Sequence, residues 1–325
     1  MLHPMTEHRR PMQVIAFLDG RPGHEKQTRG ILRELEALVN LEVIEIKVRR
    51  QTLPAMVWDL AGLLFSQKQT AGLEGYQEAD FLIGTGTQTH VPMLRMKRAL
   101  GIPAITCMVP ASYLRSRFDL CFAPLHDGIA DGGNIVTTIG PPNCSRPQGE
   151  KSVSAGLILL GGVDPKSHHW RSPEIVDRIR TIVQRGAGVH WTVSSSPRTP
   201  SDMVEMMIEI ASELTNVDFF RFEETEPGWI EGQYARSSVV WVTADSMSMV
   251  YEALSAGCRV GILPVAWRRA DNKFKKSADY LARHGLAVPY SAWLAGGEGQ
   301  WREHEPLNEA RRCAAEIVRR WPPKD

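Results

Sequence analysis

Cysteine is scarce and scattered. Cys107, Cys121, Cys144, Cys258 and Cys313 are odd in number, far apart and never arranged as CxxC. That excludes a disulfide scaffold or a zinc ribbon and fits a reducing compartment. An excess of one charge is missing too, with 38 basic against 37 acidic side chains. Such balance gives no surface for counterion release, so nucleic acid is excluded as a partner. Long apolar runs are absent. The longest, 153–163, is about half of the ~20 residues a spanning helix needs, and Ser154, Gly156, Gly161 and Gly162 interrupt it. Residues 1–13 are polar and lack the apolar centre of a secretion signal. These absences lead us to expect a cytoplasmic protein, at most peripheral on the inner face of the membrane. No fixed-period repeat and no low-complexity tract occurs.

What is present is alternation. Short β-branched runs at 14–19, 41–48, 81–83, 104–109, 120–123 and 135–139 are separated mostly by helix-length amphipathic stretches. In 25–39, Ile31, Leu32, Leu35, Leu38 and Val39 mark one helical face. The scheme recurs with strands at 157–160, 189–193, 217–220, 239–242 and 260–263, and helices near 172–184, 201–214, 245–256 and 273–283. This pattern predicts α/β architecture with parallel sheets covered by helices on both faces. Residues 141–154, rich in Pro, Ser and charge, read as a linker. The expected domains are therefore 1–145 and 153–325, two Rossmann-like halves facing across a cleft. A terminal helix at 306–320 is expected to dock back. The stretch 54–65, with Trp58, Leu60, Leu63, Leu64 and Phe65, reads as a core helix or as a flank that touches a membrane.

The motifs lie at strand ends. DGRPGHEKQ (19–27) couples a glycine-bearing turn to a helix start, where backbone N–H groups and the helix dipole suit an anion. His24 stands at that junction as a candidate general base, with Asp19 beside it and Arg21, Gly23 and Gln27 on the same loop. GTGTQTH (84–90) offers Thr85, Gly86 and Thr87 to line a cleft floor. It has Thr89 where a dinucleotide loop has its third glycine, and no ribose-binding acid follows, so a nicotinamide enzyme is not expected. LLGGVDP carries Gly161 and Gly162, a pair that lets a diphosphate approach the main chain. SSSPRTP adds Ser194, Ser195, Arg198 and Thr199. In VTADSMSMVYEAL, Asp245 or Ser246 caps a helix whose buried stripe is Met247, Val250, Tyr251 and Leu254 and whose second stripe is Asp245, Ser248, Met249 and Glu252. Glu252 has two acceptor oxygens for a ribose diol. Lys273 is a candidate phosphate contact. Adjacent His168 and His169 point apart, which places them at the surface or the cleft edge and not in a metal pair. No metal ligands are expected.

Taken in order, these motifs, with FDLCFAPLHDG, GNIVTTIG and NKFKKSADYLARHGLA, resemble the mitochondrial-fission "elongated mitochondria" family over about 14–288. That family is similar to glycosyltransferases of the GT-B, two-Rossmann-domain type. The resemblance implies a nucleotide sugar held by Gly161, Gly162, Ser194, Ser246, Ser248 and Glu252, with His24 facing the acceptor. One departure is Asn143, which stands where family members often carry a His. Plant members are associated with recruiting a dynamin-like protein to the mitochondrial surface.

The function expected from all this is glycosyl transfer from a nucleoside-diphosphate sugar, uridine-linked, to an envelope or lipid-linked acceptor. No metal and no cofactor beyond the substrate is expected. The alternatives are a nucleotide-sugar epimerase of the same fold and a non-catalytic adaptor that binds a partner or a membrane through its cleft or through 54–65.

Overall fold

The computed structural model describes residues 10–49 and 73–324, so the stretch 54–65 lies outside the described residues. The chain divides into two compact units, one formed by the described residues up to Cys144 together with those from Asn308 onward, the other spanning Ser145–Leu307.

In the first unit, β1 (Met12–Leu18), β2 (Leu41–Lys47), β3 (Phe81–Gly84), β4 (Ala104–Thr106), β5 (Leu120–Pro124) and β6 (Ile135–Thr138) form one parallel sheet in the order β2-β1-β3-β4-β5-β6. The period-2 alternation of the strands divides its core. Val14, Ala16, Phe81, Ile83, Leu120 and Phe122 pack with Ile31, Leu32 and Leu35 of helix α1 (Pro22–Glu36). Ile15, Phe17, Leu82 and Cys121 pack with Val91, Met93 and Leu94 of α2 (Thr87–Leu100), and with Leu114 of the short α3 (Ser112–Arg115). Helix α1 starts three residues before the apolar stripe suggests. Pro22 sits in its first turn, where a missing N–H costs nothing and the ring presets φ.

In the second unit, β7 (Ser152–Leu159), β9 (His190–Ser194), β10 (Val217–Phe220), β11 (Ser237–Thr243), β12 (Arg259–Leu263) and β14 (Val288–Pro289) are parallel in the order β10-β9-β7-β11-β12-β14. Renumbered within the unit, that is 3-2-1-4-5-6, the order of dinucleotide-binding Rossmann sheets. A small antiparallel pair, β8 (His168–His169) with β13 (Ala266–Trp267), stands apart. The helices are α4 (Ser172–Arg185), α5 (Ser201–Glu213), α6 (Trp229–Arg236), α7 (Met247–Ser255), α8 (Lys273–Arg283) and α9 (Tyr290–Gly296). Among the described residues Trp241 is the largest fully buried side chain, meeting Tyr290, Trp293 and Trp301 edge-on at 5.2–6.1 Å between centroids. Gly261 is its neighbour across the sheet, and any Cβ there would collide with the indole.

Two expectations are corrected here. The second domain does not run to residue 325: helix α10 (Glu309–Arg320) belongs to the first unit, burying Ala310, Cys313, Ala314 and Ile317 in the same cluster as α1. An amphipathic stripe states that a helix must dock, not on what. The linker also ends earlier than expected, because β7 begins at Ser152. Among the described residues no helix is long and apolar enough to cross a membrane.

Candidate functional site

Parallel strands deliver their following loops to one edge of a sheet, so the motifs gather there in each unit. In the second unit β9, β7 and β11 are adjacent, and β7 and β11 flank the point where strand order reverses. Gly161–Gly162 follow β7, Ser194–Thr199 close β9, and Asp245–Ser246 lead from β11 into α7.

The two glycines are required by close approach. A Cβ at Gly161 would run into the Asp245 carboxylate and Ser246 Oγ, and one at Gly162 into the Arg198 carbonyl. Their amides, however, are already engaged. Gly161 N–H donates to Thr243 Oγ1 (2.7 Å) and Gly162 N–H to Asp245 Oδ2 (3.0 Å). The SSSPRTP hydroxyls likewise turn inward. Ser196 Oγ and Thr199 Oγ1 both donate to the Gly161 carbonyl (2.7 and 2.6 Å), Ser194 Oγ to the Ser195 carbonyl (3.2 Å), and Ser195 Oγ accepts from Phe222 N–H (2.8 Å). Arg198, with Pro197, is exposed on that loop. Its Nη2 donates to Asp245 Oδ2 (2.9 Å) and Ser246 Oγ (3.2 Å).

Ser246 occupies the N-cap of α7 without a side-chain cap bond, and Asp245 spends its carboxylate on Gly162 and Arg198 instead. The first helical residues, Met247 and Ser248, therefore start a helix whose N–H groups have no intrahelical acceptor. Ser248 is exposed, and Met249 and Glu252 are half-buried along the same helix. Glu252 lies near the buried Tyr234 phenol, whose pKa is driven well up by burial and then by that carboxylate. Lys273 is exposed at the start of α8, with Nζ 5.3 Å from the centre of the Phe274 ring. The preceding Asn272 ties α8 to the loop after Gly162 by donating to Ser167 Oγ (3.1 Å).

His168 corrects the sequence reading. It is buried, with Nε2 3.0 Å from the Gly162 carbonyl and its ring edge-on to Trp170 and Trp267. Pairing of β8 with β13 turns it inward while exposed His169 faces out, which no local pattern encodes.

In the first unit the same logic joins the ends of β1 and β3, neighbours where that sheet's order reverses. Asp19 Oδ2 lies 2.7 Å from His24 Nδ1, and Oδ1 accepts the Arg21 N–H (3.1 Å). An ionised Asp19 thus favours the tautomer with the proton on Nδ1, leaving Nε2 as a lone-pair base. Gly86, at φ +102°, passes against this pair so closely that a Cβ would strike His24 Nδ1. Thr85 Oγ1 meets Thr28 Oγ1 (2.9 Å), tying the loop after β3 to helix α1. Arg21, Gly23 and Thr87 are exposed around the pair and Gln27 is half-buried. Behind it, burial pushes the His90 imidazole down to about 4, helped by the charge of His24. The Cys107 thiol is pushed up to about 12 by burial, despite a hydrogen bond from Thr85. A thiol so far from ionising is no nucleophile at neutral pH. Among the described residues no group of three or more His, Cys, Asp or Glu gathers to hold a metal ion.

A Rossmann-type sheet with engaged glycines fits many proteins, so the whole chain has to decide its kinship. The family model described as mitochondrial fission ELM1 matches residues 22–321. The chain belongs to the ELM1 family. No curated protein matches this family member's sequence. Its fold is that of solved two-domain α/β enzymes. A Listeria monocytogenes protein described as a UDP-N-acetylglucosamine 2-epimerase is 13% identical, with TM-score 0.61, 97% of this chain and 98% of that one covered. MurG of Acinetobacter baumannii is 14% identical (TM-score 0.51; 96% and 99%). The UDP-GlcNAc 2-epimerase of Neisseria meningitidis, solved with UDP-GlcNAc, is 13% identical (TM-score 0.52; 95% and 99%). At these identities the likeness establishes the fold, GT-B, in this ELM1-family chain.

Proposed function

We propose that this ELM1-family chain binds a nucleoside-diphosphate sugar, uridine-linked, in its second unit and transfers the sugar to an envelope or lipid acceptor. The observation that carries the reading is the start of α7: a helix N-terminus at the switch point of a 3-2-1-4-5-6 sheet, buried at Asp245, Ser246 and Met247 and open at Ser248, with the Arg198 guanidinium over it. Positive helix-end charge and a guanidinium together suit a diphosphate and its growing charge as leaving group. On this reading the route calls on no metal. Ser248 and Met249 lie beside the phosphates, Lys273 is a further contact, and Glu252 accepts from the ribose hydroxyls one turn beyond Ser248. The glycines and inward hydroxyls hold the loops in shape. In the first unit, the His24–Asp19 pair acts as general base on the acceptor hydroxyl, with Arg21, Gly23, Gln27, Thr85, Gly86 and Thr87 forming its surroundings. Solved neighbours of the fold that hold UDP-GlcNAc support the ligand class.

A thermal-shift panel of nucleoside diphosphates and nucleotide sugars tests the reading, since a ligand that binds only the folded state raises its stability. UDP and UDP-sugars are expected to raise the melting temperature. No shift with any nucleotide at millimolar concentration rejects the proposal. For the lipid acceptor, co-sedimentation with anionic liposomes should fall when Trp58 and Phe65 are replaced by Ser.

A further inference from the structure

Asp245 uses its two oxygens unequally. Its side chain is 1% exposed. Oδ2 accepts from Gly162 N–H (3.0 Å), Arg198 Nη2 (2.9 Å) and Ser246 Oγ (3.3 Å), while Oδ1 is buried without a partner. A buried carboxylate oxygen left empty is costly and calls for a donor. Asp245 immediately precedes the N-cap of the nine-residue α7, so this oxygen belongs to the anion-binding start of that helix.

Arg198 covers it. Its side chain is 44% exposed, and Nη2 alone makes the contacts to Asp245 and Ser246. The other guanidinium N–H groups have no acceptor among the described residues. A guanidinium held by one carboxylate oxygen, with spare donors in solvent, is matched better by a diphosphate, which offers two charges and bidentate oxygens.

We propose that Arg198 and Asp245 form an exchangeable ion pair: the diphosphate of a nucleotide sugar takes Arg198 from Oδ2, and the released Asp245 carboxylate accepts a hydrogen bond from a sugar hydroxyl at the unpartnered Oδ1. Asp245 is then the residue that distinguishes a sugar nucleotide from a bare nucleotide. The inference rests on the reading that the second unit holds the nucleotide, and it adds a role for the sugar.

Isothermal titration of the full chain with UDP, UDP-glucose and UDP-N-acetylglucosamine tests it, using wild type, Asp245→Asn and Arg198→Ala. Asn keeps the shape and one acceptor for Gly162 and Arg198 but presents a donor where Oδ1 was. The Asn variant is expected to bind UDP at least as tightly as wild type, because its hold on Arg198 is weaker. Its preference for the better sugar nucleotide over UDP is expected to fall about tenfold, and Arg198→Ala to weaken all three ligands by about tenfold or more. A wild type that does not prefer either sugar nucleotide to UDP, a preference unchanged in Asp245→Asn, an equal loss of all three ligands there, or an Arg198→Ala variant that binds normally overturns the inference and leaves the nucleotide reading standing. Wild type binding none of the three overturns both. Should Asp245→Asn fold poorly, the crystal structure of the wild type with a bound UDP-sugar decides. Arg198 Nη2 still 2.9 Å from Asp245 Oδ2 rejects the exchange, and a sugar hydroxyl on Oδ1 supports it.

Discussion

Asp19 Oδ2 and His24 Nδ1 are 2.7 Å apart, with the carboxylate almost wholly buried and the imidazole 17% exposed. A buried acceptor fixes the ring's tautomer while part of the imidazole still meets solvent. Replacing Asp19 by Asn removes the charge that holds the proton on Nδ1 and lets the ring rotate or change tautomer. Nitrogen-15 spectra of His24 are expected to show the Nδ1–H form in wild type and a mixture or the Nε2–H form in Asp19→Asn. Sugar transfer should drop by about 10²- to 10⁴-fold. Identical spectra in the two proteins would refute the orienting role.

Glu252 should matter to binding and little to folding. Glu252→Gln removes one acceptor from the proposed ribose contact. UDP affinity is expected to fall about tenfold, in line with hydrogen bonds to charged groups, while the melting temperature of the free protein stays within a few degrees. Full UDP affinity in this variant would displace the nucleotide from the Ser248–Glu252 stripe.

Gly162 faces the Arg198 carbonyl with no space for a methyl group. Gly162→Ala is expected to destabilise the chain by about 1–3 kcal/mol through overpacking against backbone. The loss is read from urea unfolding, and nucleotide binding should weaken with it because Arg198 must move. A neutral substitution would mean that the loop is free to yield.

His90 ties stability to pH. Its folded pKa, depressed from the usual 6.5 to about 4 by burial, means that the unfolded chain binds a proton between these values and the folded chain does not. Its stabilising contribution is therefore complete above pH 6.5 and is lost as pH falls toward 4, at most about 3 kcal/mol from 1.36 kcal/mol per unit. Melting temperatures measured from pH 7 to pH 4 should fall more steeply in wild type than in His90→Gln. Parallel curves would show that other groups carry the acid sensitivity.

Ile317 tests where the terminal helix belongs. It is fully buried in the cluster that includes Ile31 and Leu35. Ile317→Ala should cost about 2–5 kcal/mol. Hydrogen exchange is expected to accelerate in β1 and β3 and to change little in β7 and β11. Faster exchange in the second unit instead would assign α10 to the wrong partner.

Much of this was legible in the sequence because periodicity is local. The continuous apolar runs VIAFL and VVWV dictate strands buried on both faces, and the stripe Ile31, Leu32, Leu35 a helix buried on one, wherever the chain goes next. Glycine-bearing turns at the ends of such strands also marked the candidate loops, since parallel strands bring their ends to one edge. Only tertiary structure could decide which groups those loops leave available. The Gly161 and Gly162 amides and the SSSPRTP hydroxyls looked like ligand donors, yet Thr243, Asp245 and the Gly161 carbonyl occupy them. His168 looked like a surface residue until the β8–β13 pairing buried it, and α10 looked like part of the second half until it packed on α1. The opening scarcities, few cysteines, balanced charge and no long apolar run, were set by composition and residue order alone, because they need no partner. A hydrogen bond needs two groups, and in this chain the second is commonly some 35 to 80 positions away, a pairing that local pattern cannot specify and only the fold resolves.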